Sequence, residues 1–211
     1  NNAPICMSVK KAAEGLIKEG WTGTGRIALH GGSAIFCVAS QTRISHCLFR
    51  ANSCGPGHWG SSLHFDRGGA DAIVEHCTFR DDHAPGEVVF ARRGAAPQLR
   101  NCLIVHNGPG AAVFFHEAGI DIRSSNIFGN RGDDWTGPIA AFADTLGNIS
   151  RDPGFCNCPG APTGVAADSP CLAGNNPAGA DIGLNSAVDP RVGPKRSVPD
   201  EYATIRAALA D

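Results

Sequence analysis

The chain has little charge imbalance: 18 Lys and Arg stand against 20 Asp and Glu, for a formal net charge of -2. Nucleic acid and anionic membrane are therefore not its default partners. It has no apolar run near the roughly 18 residues of a membrane helix. Its cysteines form no CxxC pair and its histidines no HxxxH pair, which weighs against zinc-enzyme and thioredoxin-type chemistry. Tryptophan is sparse, limited to Trp21, Trp59 and Trp135, so flat platforms for sugar rings are few. No secretory leader is visible, and an opening on Asn1-Asn2 without an initiator Met suggests processing or excision.

What is present is turn-forming and strand-forming. Gly 27, Pro 14 and 42% hydrophobic residues describe a turn-rich β protein, and 211 residues suffice to bury a substantial core. Four segments repeat one ten-residue motif without a gap, beginning at Ile44, Val74, Leu99 and Ile122. A period of 23 to 30 residues in strand-like text predicts a stacked-coil solenoid. The first, fourth and sixth positions are apolar or small: Ile44, Val74, Leu99 and Ile122; Cys47, Cys77, Cys102 and Ser125; Phe49, Phe79, Ile104 and Ile127. Spacing of three and then two predicts two short strands meeting at a corner after the third residue. His46, His76, Asn101 and Ser124 hold that corner, and Asn52, Asp82, Asn107 and Asn130 at the ninth position predict a second, left-handed one. Each motif follows another apolar strand, and a further coil is expected over Ile139–Phe142.

The motif resembles that of right-handed parallel β-helix proteins of the pectate-lyase-like superfamily, in which a corner often carries an Asn stack. Asn148-Ile-Ser-Arg-Asp-Pro-Gly-Phe155, then Ala167-Asp-Ser-Pro-Cys-Leu-Ala-Gly174, then Gly179-Ala-Asp-Ile-Gly183 are similar to the closing segment of many secreted bacterial β-helix proteins. The expectation is thus an all-β, right-handed parallel β-helix of five or six coils. Residues 1–23 would form an N-terminal cap with a helix, 24–145 the coils, and 146–188 the last coil and a loop-rich cap. Residues 189–211 would form a Pro-rich linker and a terminal amphipathic helix. The cap helix is read over residues 8–19 from the stripe Val9, Ala12, Ala13, Leu16 and Ile17, ended by Gly20. The terminal helix presents Tyr202, Ile205 and Leu209, and its sequence resembles the segment that usually opens such a solenoid. Its apolar face could fold back on this solenoid, cap a neighbouring copy, or begin a second β-helix.

Several residues are candidates for chemistry. The cysteine ladder is better explained as packing than as a metal site. His46 and His76 fit a corner stack. Glu75 beside Arg100 reads as a surface ion pair. Asp66, Arg92, His116 and Glu117 fall on or just after equivalent strand ends, which makes them the weak catalytic candidates. The resemblance implies calcium and an Arg or Lys base if the chain is a lyase, and otherwise no cofactor or metal is expected. Asp81-Asp82 and Asp133-Asp134 are acidic pairs in turn-like text. Trp59 and Trp135 are the carbohydrate-binding candidates, and Cys171 is a disulfide candidate with Cys156 or Cys158 if the compartment is oxidising. Asn148-Ile-Ser150 matches a glycosylation sequon. Two function classes follow. One is an extracellular or cell-surface structural, adhesive or self-assembling module, whose partner is itself or a surface polysaccharide. The other is a polysaccharide lyase or glycoside hydrolase working on an acidic polysaccharide along the solenoid face, by fold analogy.

Overall fold

A computed structural model describes residues 26–30, 33–38, 42–52, 60–67, 72–83, 85–156, 163–184 and 186–187. The expected helices at 8–19 and 197–211 lie outside these residues, as do Trp21, Trp59, Cys158, Tyr202, Ile205 and Leu209.

Strand β1 (Arg26–His30) pairs antiparallel with β2 (Ser33–Val38). From β2 onward the chain makes three-stranded rungs. The first rung continues with β3 (Arg43–Ser45) and β4 (Leu48–Arg50). The second holds β5 (Leu63–Asp66), β6 (Ile73–Glu75) and β7 (Thr78–Arg80). The third holds β8 (Val89–Arg92), β9 (Gln98–Arg100) and β10 (Leu103–Val105). The fourth holds β11 (Val113–His116), β12 (Asp121–Arg123) and β13 (Asn126–Phe128). Equivalent strands stack in parallel, giving a first sheet β1-β2-β5-β8-β11, a second β3-β6-β9-β12 and a third β4-β7-β10-β13. The fold is a parallel β-solenoid of about three turns.

The register follows the repeat. Ile44, Val74, Leu99 and Ile122 are successive partners on the second sheet, as are Phe49, Phe79, Ile104 and Ile127 on the third. All eight side chains are buried in one core with Cys37, Cys77 and Cys102. Phe49 and Phe79 stack at 4.7 Å, the distance between neighbouring parallel strands. Burial pushes the Cys37 and Cys102 thiols up to about 12, so they are packing groups and not nucleophiles.

The third motif position is itself the corner. His46, His76, Asn101 and Ser124 all have positive φ, between 48° and 52°. His46 and His76 stack at 5.0 Å, and Asn101 Nδ2 lies 3.3 Å from His76 Nε2. The second left-handed corner is not at the ninth position, as the sequence suggested, but at the eighth, where Ala51, Asp81, His106 and Gly129 have positive φ. The ninth residue consequently turns inward. A third left-handed corner follows the first sheet at Arg67, Arg93 and Glu117.

The described residues form about three turns, against the five or six coils expected for the chain. Gly137–Phe142 is a 3-10 helix with Pro at its start, not another strand. Proline cannot donate to a parallel ladder, so the first sheet does not continue at this point. The helix lies against β11 and buries Ile139 in the core. Only Ile149 continues the third sheet, by a single bridge to Asn126.

The chain then crosses the outer face of the third sheet. Leu103 and Val105 point out from β10 and are buried with Ile149, Cys171 and Ile182, with Phe128 and Phe155 packed against them. Gly183 N donates to Asn101 O at 2.7 Å and Leu184 N to Thr78 Oγ1 at 2.8 Å. The Arg80 guanidinium sits 4.2 Å over the Phe155 ring. Two short parallel strands, β14 (Gly164–Val165) and β15 (Ser186–Ala187), tie this segment together. The closing segment thus clads a side of the solenoid.

Candidate functional site on the first sheet

Outward rows on the first sheet carry the candidate residues. Ile35, Leu63, Val89 and Val113 form one inward row, and Cys37, Phe65, Ala91 and Phe115 the other. The residues between them, Phe36, His64, Phe90 and Phe114, face outward in register. Ring centroids along this ladder are 4.6, 5.1 and 6.1 Å apart. The strand ends Val38, Asp66, Arg92 and His116 make a second outward row. Asp66, Arg92 and His116 therefore sit on consecutive rungs. Glu117 follows at the exposed left-handed corner, and its carbonyl accepts from Gly94 N.

Asp66 is only 4% exposed. Its Oδ2 accepts from Arg92 at 3.1 Å and from Arg93 at 3.3 Å. Arg93 is at the corner of the next rung, where the left-handed backbone turns its side chain back over the strand end. Two cations on one carboxylate oxygen compensate the cost of burying that charge. Arg92 is thus engaged as a counter-ion. Asp66 and Glu117 lie two rungs apart, about 9–10 Å at strand spacing, too far to share the tight oxygen shell of one calcium ion.

The other acidic pairs are divided by the backbone. Asp81, at a corner, pairs with Arg50 at 3.1 Å and Arg80 at 3.0 Å. Asp82 turns inward and is 1% exposed. Its Oδ1 accepts from Asn52 N at 2.8 Å and Asn52 Nδ2 at 3.1 Å, and its Oδ2 from Ser62 Oγ at 2.5 Å. The chain of bonds continues along the axis. Asp82 N donates to Asn107 Oδ1 at 3.0 Å, and Asn107 N and Nδ2 donate to Asn130 Oδ1 at 3.1 and 2.8 Å. Asn130 N and Nδ2 donate in turn to Asp134 Oδ1 at 2.9 and 2.8 Å, so Asp134 ends the ladder. Asp133 lies at an exposed turn.

Burial raises the Asp82 carboxyl above its ordinary range despite these donors. A folded value above the unfolded one means that the stabilisation is complete below the unfolded pKa and is lost as pH rises through the folded value. At the same ladder position Asn107 Nδ2 donates to Phe79 O and Asn130 Nδ2 to Ile104 O. An asparagine at 82 would donate to the equivalent Phe49 carbonyl. Asp82→Asn is therefore expected to stabilise the protein at pH 7 by about 1 kcal/mol. The gain should shrink towards pH 4, as chemical denaturation across pH would reveal; a constant difference contradicts this account.

The remaining candidates take other places. Trp135 is half-buried and packs against the main core, with its Nε1 buried. Cys171 is a free buried thiol that accepts from Asn126 Nδ2 at 3.3 Å, so the disulfide expected for it does not form. Cys156 is disulfide-bonded. The other described cysteines are free. Glu75 bonds Arg43 at 2.7 Å and not Arg100, which is held by Gln98 two residues back on its own strand. Asn148 fills the fourth motif position of a further rung. Its Oδ1 accepts from Ser125 N at 3.0 Å and its Nδ2 donates to Ile122 O at 2.9 Å, which removes the sequon from any glycan acceptor role in the folded chain.

The geometry defines a parallel β-solenoid with one side clad by its own closing segment. No family model, no curated protein and no solved structure matches the chain.

Proposed function

We propose that the chain is an extracellular or cell-surface structural module, a short rod that associates with copies of itself or with a surface polysaccharide. The observation that carries this reading is the closed state of Asp66. The best-aligned carboxylate on the solenoid face is buried and held by Arg92 and Arg93. Its charge locks two rungs together, as Asn107 and Asp82 do inside. A bonded Cys156 favours an oxidising compartment. The C-terminal segment, through Tyr202, Ile205 and Leu209, would supply the contact between copies. Light scattering over a concentration series should show assembly that disappears when residues 197–211 are removed. A strict monomer with and without that segment contradicts the reading. So does the release of unsaturated uronate products from an acidic polysaccharide in the presence of calcium, which would return Arg92 and Asp66 to catalysis.

A further inference from the structure

The inward cysteines at the fourth motif position are not equivalent. Cys77 and Cys102 are wholly buried, whereas Cys47 alone among the described free cysteines is only partly so. Register holds on both sides of it. Ser45 pairs with Glu75 and Leu48 with Thr78, so Cys47 lies directly against Cys77 on the next rung. Thr78 N donates to Cys47 O at 2.9 Å, and the flanking pairs His46–His76 and Phe49–Phe79 stack at 5.0 and 4.7 Å. One strand spacing, about 4.8 Å, falls within the Cα separations that a disulfide spans, about 4.4–6.8 Å. The thiols themselves meet. Hydrogen bonding with Cys77 draws the Cys47 thiol below its ordinary value, against the opposing effect of burial. Burial pushes Cys77 well above its own. Cys47 is therefore both the thiol that solvent reaches and the one that ionises first.

Packing at this position does not require sulfur. Cys47, Cys77 and Cys102 each place Sγ against the carbonyl two residues back, at 3.2 Å from Ser45 O, 3.2 Å from Glu75 O and 3.4 Å from Arg100 O. On the fourth rung the wholly buried Ser125 makes the same contact, its Oγ donating to Arg123 O at 2.9 Å. A hydroxyl thus satisfies this corner.

We infer that Cys47 and Cys77 form a reactive pair, which a low-molecular-weight disulfide such as glutathione disulfide oxidises to a bond joining the first rung to the second. The Cys47 sulfur attacks one sulfur of the reagent, forming a mixed disulfide; one reagent thiol leaves and takes up the Cys47 proton. The Cys77 sulfur then attacks the Cys47 sulfur, and the second reagent thiol leaves with the Cys77 proton. Two protein thiols are oxidised while one reagent disulfide is reduced to two thiols. Cys102 takes no part, because it lies one rung further in, wholly buried. The inference is independent of self-association and of any polysaccharide.

The test incubates the full chain with glutathione disulfide and maps its peptides by mass spectrometry without reduction. The wild type is expected to yield a peptide pair joined through Cys47 and Cys77, which a reducing thiol separates. Cys77→Ser should stop at a glutathione adduct on Cys47, and Cys47→Ser should leave Cys77 unmodified. Ser125 shows that both substitutions keep the corner contact. A wild type in which the adduct persists without the joined pair, in which Cys47 joins another cysteine, or in which Cys47 stays unmodified overturns the inference. So does oxidation of Cys77 in Cys47→Ser while Cys102 stays closed to thiol reagents. If Cys102 opens in a variant, that variant has unfolded and the wild-type map decides.

Discussion

Replacing Asn107 by leucine is expected to lower the unfolding free energy by about 4 kcal/mol, although the two side chains are nearly the same size. Asn107 is 1% exposed and makes four bonds that no apolar group can replace in full. Its Oδ1 takes the Asp82 N–H of the preceding rung, its Nδ2 serves both Phe79 O and Asn130 Oδ1, and only its own N–H to Asn130 survives the change. The buried Asp82 N–H is orphaned and the Phe79 carbonyl, still held in the ladder between β7 and β10, loses its second donor, at roughly 1–3 kcal/mol for each lost bond. Urea unfolding with an unchanged m-value is the measurement. A loss below about 1 kcal/mol would mean that water enters the ladder and takes over the bonds.

Leu103→Asp should separate the closing segment from the solenoid. Leu103 is fully buried between β10 and the segment that follows Ile149. Removing that packing costs about 2–5 kcal/mol, and an unpaired carboxylate in its place adds to the loss. Among the described residues the second cluster has five buried members, so a loss of this size exceeds what the cladding can absorb. Limited proteolysis should then cut within residues 150–187 while Cys77 and Cys102 stay inaccessible to thiol reagents. Wild-type resistance to protease would show that Leu103 is not what holds the segment down. Simultaneous exposure of Cys102 would show that cladding and solenoid unfold as one unit.

Much of the solenoid was legible because its inward positions are apolar and its period is regular. Val74, Phe79 and Ile104 are buried where the motif placed them. The ninth position misled because Asn and Asp are read as surface turn formers, and nothing within one repeat reveals bonds that run between repeats. Asp82 and Asn107 find their partners only once the coils stack. Leu103-Ile104-Val105 did carry a signal: three consecutive apolar residues in a short strand mean that both faces are covered. The same holds for β5, whose four residues are all buried. On the candidate site, equivalent strand ends put Asp66 and His116 in one row, but with Ala91 between them and Arg92 one residue later; the register instead puts Arg92 in that row. The sealing of Asp66 was not legible, because it depends on a left-handed corner at Arg93, a residue type not expected there.

The unequal spacing of the repeats has a consequence for what the molecule tolerates. Within each motif the path from second to third sheet has a fixed length, and register between rungs is unbroken there. Most of the difference between coils falls in the connections that leave the third sheet, longest between β4 and β5, and the connections from the first to the second sheet differ only slightly. Later coils hold those connections tightly, since a side chain on Gly110 would collide with the Gly86 carbonyl one rung away. The scaffold thus works like a shelf of constant pitch with one adjustable bracket: length can be added after Arg50 without disturbing the stack, whereas one residue inserted between Ile44 and Phe49 would turn the side chains of β4 to the wrong side of the wall.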